Sequence, residues 1–342
     1  MNTLTIGVDV SLKTLDVAVA IDSERATTLG RFTNSEAGFK ELAAKLEREA
    51  QGATIHLIME PTGGYELPLA QFASERQWLV SLPNPRKVKD WASSQGRRAK
   101  TDRQDAQKLA CYGKAHALPI WQPLPPAVAE LEALLARRKD LEDILQQERN
   151  RQQALQAQAA FKGPVATSLE QSIGWLQQAI DAVEAAIQQH VDEHPDLRDQ
   201  ARRLRTVPGI GRRNVLPILV LLHRWGTLTK NQGTTRGLTA FVGLDPQPFE
   251  SGSSIRKPAM ISRQGNPAMR SLLYFSALGG TRGNNPLRHF YHRLVAAGKP
   301  KKLALIASAR KMLSWAWVIF LSLIHISEPT RRTPISYAVF CL

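Results

Sequence analysis

Four acidic residues lie where they could bind metal ions for phosphoryl transfer. Asp9 closes one apolar run, Glu60 closes another, and Asp102 and Asp105 are one helical turn apart. Mg²⁺ prefers such oxygen ligands, and two ions about 3.5–4 Å apart can stabilise the attacking and leaving oxygens of a phosphodiester. Taken singly, each residue could simply end a strand or favour a helix N-terminus. Their combination in a chain of net charge +15 favours chemistry on nucleic acid.

The positive charge is concentrated in one part of the 342-residue chain. Residues 201–320 carry 20 Lys and Arg against only Asp245 and Glu250, whereas the remaining residues carry 25 basic and 28 acidic side chains. Basic runs are often no more than solvated faces. An asymmetry this large indicates a phosphate-binding surface in the C-terminal part.

Short β-branched runs must position the first two carboxylates. Residues 3–10 and 15–21 predict a hairpin that carries Asp9 at its open end, and residues 54–59 predict a strand that delivers Glu60 into a Pro-Thr-Gly-Gly loop. A helix that opens at Thr101 would place Asp102 and Asp105 on one face and Ala106, Leu109 and Ala110 inward. The pattern predicts an α/β N-terminal domain.

A region rich in Gln, Glu, Ala and Leu follows, over about residues 127–200. Its apolar residues alternate at spacings of three and four, and Gly163-Pro164 interrupts the pattern. We therefore expect a coiled-coil-like hairpin of two helices. Periodicity alone is equally consistent with a hairpin packed on its own domain and with a dimerisation arm.

The turn Pro208-Gly209-Ile210-Gly211 lies between two helical stretches and predicts a helix-hairpin-helix. Glycine lets backbone N–H groups approach a phosphate closely, so Gly209, Gly211, Arg212 and Arg213 are candidate nucleic-acid contacts. The alternative is a tight structural turn between core helices.

A serine cluster, Ser251-Gly252-Ser253-Ser254, stands beside Arg256 and Lys257. A hydroxyl next to cations could attack a phosphate. These residues alone do not identify a reactive serine, and such a sequence is also typical of a flexible loop.

Motifs along most of the chain resemble one family. The quoted segments are Gly7-Val8-Asp9-Val10-Ser11, Glu60-Pro61-Thr62-Gly63, Lys100-Thr101-Asp102-x-x-Asp105-Ala106, Val207-Pro208-Gly209-Ile210-Gly211, Phe241-Val242-Gly243-Leu244-Asp245-Pro246, Ser251-Gly252-Ser253-Ser254 and Gly265-Asn266-x-x-x-Arg270. In this order they resemble the DEDD, RuvC-like transposases of bacterial insertion sequences, the IS-one-ten family, which includes relatives of the Piv invertase and bridge-RNA-guided recombinases. The resemblance covers nearly residues 1–315.

The resemblance implies a fold and an activity. It implies a RuvC-like, RNase H-type catalytic domain over residues 1–122, a helical dimerisation arm over 123–200, and a mostly α DNA-binding domain with the helix-hairpin-helix over 201–320. Asp9, Glu60, Asp102 and Asp105 would bind Mg²⁺, two ions per site, and Ser251 would form a serine-linked DNA intermediate. The partners would be DNA at the element ends and target, a structured bridge RNA, and further copies in a homodimer or homotetramer.

Other basic residues of the C-terminal domain are candidate nucleic-acid contacts. They are Arg256, Lys257, Arg263 and Arg270. Many relatives have Gly after the Arg, whereas Arg256 is followed here by Lys257-Pro258, which puts the backbone path of the serine loop in question. Two other functions remain open: a RuvC-like Holliday-junction nuclease that activates water, and a noncatalytic nucleic-acid-binding fragment.

The remaining features concern location and the tail. Cys111 and Cys341 show no disulfide or zinc pattern, and the absence of a signal peptide and of an apolar stretch of about 18 residues predicts a cytoplasmic protein without a membrane span. Residues 321–342 have the pattern expected of a translated sequencing adaptor.

Overall fold

The computed structural model describes residues 2–95, 102–157, 162–251 and 255–327, with the backbone alone for residues 102, 248–251, 255–259 and 323–327. The chain divides into two compact units. One comprises Met1–Pro123 with Thr227–Thr229, and the other comprises Leu124–Gly226 with Lys230–Leu342.

The first unit is built on a mixed sheet of five strands within its described residues. The strands are β1 (Thr3–Val10), β2 (Thr14–Ala20), β3 (Ala26–Thr33), β4 (Thr54–Met59) and β5 (Leu79–Ser81), in the order β3-β2-β1-β4-β5. β2 pairs antiparallel with β1 and β3, whereas β4 pairs parallel with β1 and β5. The α/β expectation is confirmed. Asp9 lies beside the hairpin turn and not at the open end.

Helices cover both faces of this sheet. α1 (Glu36–Ala50) and α2 (Leu67–Glu75) cover one face, over a core that includes Ile6, Val8, Val17 and Leu57. α3 (Pro85–Ser94) and α4 (Asp102–Ala115) contribute to the packing around Ile58 on the other. Ala106, Leu109 and Ala110 of α4 are almost fully buried, as their spacing predicts.

The second unit begins with two long helices, α5 (Pro126–Ala157) and α6 (Pro164–Glu193). Leu141 and Leu145 of α5 pack against Leu176 and Ile180 of α6. The helical pattern and its interruption before Pro164 are confirmed, because apolar residues at heptad spacing keep one face of each helix against the other.

The rest of the second unit is mainly helical. The elements that follow α6 are α7 (Pro195–Leu204), α8 (Val215–Thr229, whose last three residues belong to the first unit), α9 (Thr235–Phe241), β6 (Pro246–Ser251), β7 (Ile255–Ile261), α10 (Pro267–Gly280), α11 (Pro286–Ala296) and α12 (Lys301–Ser327). β6 and β7 form an antiparallel ribbon that the sequence analysis did not predict.

α12 corrects one expectation. Residues Lys301–Ser322 are long and apolar enough to cross a membrane, but half of this stretch is buried inside the protein. Ala309, Leu313 and Phe320 are among its buried residues, at the spacing of one helix face. A helix that packs one face into the core of a domain has this character. Residues 328–342, most of the segment interpreted as adaptor, lie outside the described residues.

Candidate active site and nucleic-acid interface

Asp9 and Glu60 lie at equivalent positions on neighbouring parallel strands. The register of β1 and β4 pairs Gly7 with Ile58 and Val8 with Met59, so the next position opposite Asp9 is Glu60, the residue directly after β4. Paired residues of a parallel ladder point to the same face. Both carboxylates are half-buried.

α4 crosses this face of the sheet at Gly7, two residues before Asp9. A Cβ at Gly7 would overlap the Ala106 carbonyl oxygen and the Ala110 backbone nitrogen, so only glycine allows so close an approach. A Cβ at Gly113 would lie 3.0 Å from Thr5 Cγ2. The later residues of α4 therefore lie over the earlier residues of β1, and the helix runs antiparallel to the strand.

This direction brings the start of α4 toward the two strand ends. Asp9 is two residues beyond Gly7, about 7 Å along the strand, which corresponds to between four and five residues of helix. Because Gly7 lies under Ala106 and Ala110, Asp9 is level with the first turn of α4. That turn contains Asp102 and Asp105. The side chain of Asp102 lies outside the described atoms, and Thr101 outside the described residues.

Asp105 is held by a cation of its own helix. Lys108 Nζ donates to Asp105 Oδ1 at 2.8 Å, and both side chains are largely buried, with 15% and 28% exposed. Among the described side chains, no three or more His, Cys, Asp or Glu residues lie close enough together to hold a metal ion. The backbone thus brings Asp9, Glu60 and the first turn of α4 to one edge, whereas Asp105 bonds to Lys108.

A fifth acidic residue, Asp16, was missed by the sequence analysis. It lies directly opposite Asp9 on β2, and Arg31 lies opposite it on β3. Arg31 donates through Nε and Nη2 to both carboxylate oxygens of Asp16 at 2.8–3.1 Å. Asp16 is buried, which explains why this bidentate partner is needed. Counting across the predicted hairpin turn would have revealed the position.

The loop after Glu60 is held by a buried carboxylate. Glu66 Oε2 accepts hydrogen bonds from the backbone N–H groups of Thr62 and Gly64 at 2.9 and 3.0 Å. Thr62 Oγ1 also donates to the carbonyl oxygen of Glu60. These bonds fix the path of the chain as it leaves β4.

The Pro-Gly-Ile-Gly turn joins α7 to α8 and rests on α10. Asn214 Nδ2 donates to the carbonyl oxygen of Gly209 at 2.8 Å and to Ser276 Oγ at 2.6 Å, and Asn214 Oδ1 accepts from Gly211 N–H. Gly209 has φ +95°, and a Cβ there would lie 2.6 Å from the Ser276 carbonyl oxygen. Arg212 and Arg213 follow the turn and are exposed.

Ser251 ends β6, at the far end of the ribbon. The residues after it, 252–254, lie outside the described residues, and with them Ser253 and Ser254. Two backbone hydrogen bonds fix the base of the ribbon. Ser262 N–H donates to the carbonyl oxygen of Asp245 at 3.0 Å, and Arg263 N–H donates to the carbonyl oxygen of Gly243 at 3.2 Å. A Cβ at Gly243 would lie 2.7 Å from Gln264 N. The segment 241–246 therefore meets the residues that lead into the segment 265–270 at the base of the serine ribbon.

Lys257 and Pro258 lie in strand β7, which pairs with β6. Glu250 pairs with Arg256 and Phe249 with Lys257, with a register irregularity between Gln247 and Phe249. Pro258 lies in the irregular part, as expected because proline has no N–H for the ladder. Arg263 has φ +57°, and Arg270 donates to the Gly265 carbonyl oxygen.

Comparisons with known proteins identify the family. A family model described as Transposase matches residues 6–159, and one described as Transposase IS116/IS110/IS902 family matches residues 201–292. The pilin gene-inverting protein of Moraxella bovis is 32% identical over 322 residues, which are 93% of this chain and 96% of the relative. That of Moraxella lacunata is 32% identical over 321 residues, with the same coverage. The chain belongs to the IS116/IS110/IS902 transposase family. It is thus a DNA transposase or recombinase, and the two matched regions contain the acidic edge and the serine ribbon respectively.

Proposed function

We propose that this transposase moves or inverts a DNA segment by metal-dependent strand cleavage and exchange in a RuvC-like catalytic domain. The observation that supports it best is the register of Asp9 with Glu60 on parallel strands beneath the first turn of α4. Ligands of open α/β sheets gather at this carboxyl edge. Asp9, Glu60, Asp102 and Asp105 are then the metal ligands.

The donor set fits Mg²⁺, since all four groups are hard carboxylate oxygens. When bound, two such ions would stabilise charge on the oxygens of the phosphodiester under attack. The protein's part is to hold the carboxylates at fixed positions: strand pairing holds Asp9 and Glu60, the Glu66 bonds hold the following loop, and the contact at Gly7 holds α4.

Ser251 is proposed as the nucleophile. Its hydroxyl loses a proton, a bond forms between Oγ and phosphorus, and the bond from phosphorus to the leaving strand breaks as the leaving oxygen gains a proton. The strand is thereby joined to the protein and can be transferred without an external energy source. Arg256 and Lys257, paired in register with β6, supply positive charge at the same end of the ribbon.

The turn at Gly209 and Gly211 is proposed as a helix-hairpin-helix that contacts DNA phosphates, with Arg212 and Arg213. Arg256, Lys257, Arg263 and Arg270 would add to this surface. Contacts to phosphates position the nucleic acid without reading its bases.

A structured bridge RNA would pair with donor and target DNA, as the family resemblance implies. The protein would act in the cytoplasm.

The helices α5 and α6 are proposed as the dimerisation arm of a homodimer or homotetramer. The acidic residues and Ser251 lie in different units of the chain, so an active centre could combine the acidic edge of one protomer with the serine of another.

The mechanism is tested with an intact, end-labelled duplex DNA from the element end, in Mg²⁺, with cleavage and covalent adduct measured separately. Asp105→Asn should abolish cleavage and leave DNA binding unchanged. Ser251→Ala should remove the adduct, whereas Ser253→Ala should retain it. Adduct persisting in Ser251→Ala would refute the assignment. Nicking without adduct would favour the water-activating nuclease, and binding without cleavage would favour a noncatalytic fragment.

Sharing of the site is tested by mixing Asp9→Ala protein with Ser251→Ala protein. Partial recovery of adduct is expected, because each protomer supplies what the other lacks. The absence of recovery in demonstrated mixed dimers would show that both halves come from one chain.

A further inference from the structure

α11 presents a stripe of Arg and His side chains to solvent, in which Arg288 and Arg293 carry the positive charge. Arg288, His289, His292 and Arg293 are all exposed, and they occupy positions i, i+1, i+4 and i+5 of the helix. At about 100° per residue, these positions lie within about 140° of the helix surface and so form one broad face. The opposite face carries buried Leu287 and half-buried apolar residues, so the orientation of the stripe is set by packing.

This stripe has no acidic counterpart nearby in the sequence. From residue 251 to residue 327 the sequence contains no Asp or Glu. In the described part of the chain, no ion pair involves Arg288 or Arg293, although the Arg293 guanidinium lies over the Phe290 ring at 5.4 Å. Exposed Lys299, Lys301 and Lys302 continue the positive charge beyond the end of α11. Unpaired cations repel one another, which suggests an anionic partner.

The start of α11 adjoins the Pro-Gly-Ile-Gly turn. A Cβ at Gly280 of α10 would lie 2.8 Å from Leu287 Cδ2 and 2.9 Å from Gly209 Cα, so the turn and α11 flank the same glycine. Asn285 caps α11 through the N–H groups of Leu287 and Arg288, and its Nδ2 donates to the Gly280 carbonyl oxygen. The stripe therefore begins beside the proposed hairpin contact, and both pack against Gly280.

We infer that the α11 stripe is a second phosphate-binding surface, which contacts the backbone of duplex DNA next to the DNA held by the hairpin turn. This inference rests on the proposed function of that turn. The 11 residues of α11 extend about 16 Å, or about five base pairs of duplex at ~3.4 Å each. The aromatic residues Phe290 and Tyr291 are half-buried, so the stripe lacks the exposed rings on which unpaired bases stack. Duplex DNA is therefore favoured over single strands.

The test measures affinity for a labelled mixed-sequence duplex of about 30 base pairs as salt is raised, a length chosen to extend well past the ~5 base pairs of the stripe. Arg288→Gln with Arg293→Gln should weaken binding by about tenfold at low salt, equally for unrelated sequences, and reduce the salt slope by about 2. Lysine at both positions should restore most of the slope. Both residues are exposed, so the fold should be retained, which a thermal melt checks.

The control removes the same charge elsewhere. Arg48→Gln with Arg76→Gln, which are exposed on α1 and directly after α2, should leave the slope unchanged. An equal loss in this control would show a net-charge effect and overturn the stripe. A normal slope in the α11 variant, with a reduced one in Arg212→Gln with Arg213→Gln, would overturn the stripe but leave the proposed function intact.

Two further outcomes also decide the matter. If the α11 variant loses affinity for a structured RNA hairpin but not for duplex DNA, the partner is RNA and the inference is wrong. If the wild-type protein binds no duplex DNA, the proposed function and the stripe both fail.

Discussion

Lys108 neutralises Asp105 from one turn away on α4, with Nζ 2.8 Å from Oδ1 and both side chains mostly shielded from solvent. A cation at this place competes with any metal ion that Asp105 would bind, because both need the same carboxylate oxygen. The pair gives the metal proposal a measurable consequence besides cleavage.

Lys108→Met should therefore raise the affinity for Mn²⁺ or Mg²⁺ by about threefold to tenfold, given the modest strength of a partly screened ion pair. Titration calorimetry and the metal-induced rise in melting temperature measure it. Lys40→Met, which removes an exposed partner of Glu36 on α1, is the matched control and should change neither. Weaker metal binding in Lys108→Met would contradict the proposed role of Asp105.

Arg31→Met should destabilise the fold by about 1–3 kcal/mol, because it leaves the buried carboxylate of Asp16 without its bidentate partner. Asp16 is the residue that lies directly opposite Asp9. Urea unfolding measures the change. Arg25→Met breaks an exposed pair with Asp22 and should have a much smaller effect, because solvent screens that pair. Equal effects of the two substitutions would mean that Asp16 does not depend on Arg31.

Gly7→Ala should cost about 3 kcal/mol or more, because the added methyl overlaps the backbone of α4 at Ala106 and Ala110. Gly174→Ala on α6, where a Cβ meets no atom within 4 Å, should instead stabilise by up to about 1 kcal/mol through helix propensity. Denaturant melts compare the two. A neutral Gly7→Ala would refute the close crossing that places α4 over the acidic edge.

Stability should fall in acid through His223. Burial lowers the pKa of His223 to about 4, while its ring bonds to Gln200 Oε1. The unfolded chain takes up this proton near pH 6.5, so the contribution is complete above that pH and is lost as the pH falls toward 4. Between pH 7 and pH 5 the loss should be about 2 kcal/mol. It should be absent in His223→Gln and retained in the control His289→Gln; an unchanged pH dependence in His223→Gln would refute it.

Local pattern was enough to predict much of the N-terminal part. Short β-branched runs predicted β1, β2 and β4, and the spacing of Ala106, Leu109 and Ala110 predicted the buried face of α4. These signals survive in the sequence because each strand or helix must bury one face whatever its partners are. Motif order along the chain was likewise enough to predict the transposase family, which the comparisons confirm.

Only the tertiary structure decided how segments distant in sequence lie relative to one another. Pairing of β1 with β4 placed Glu60 beside Asp9, pairing with β2 brought in Asp16, and the contact at Gly7 set the direction of α4. The sequence analysis also missed β3, β5 and the serine ribbon, which are short or partly polar strands stabilised by their neighbours. Strand register and helix crossing depend on contacts between residues far apart in the chain, and a periodic pattern within one segment carries no information about them.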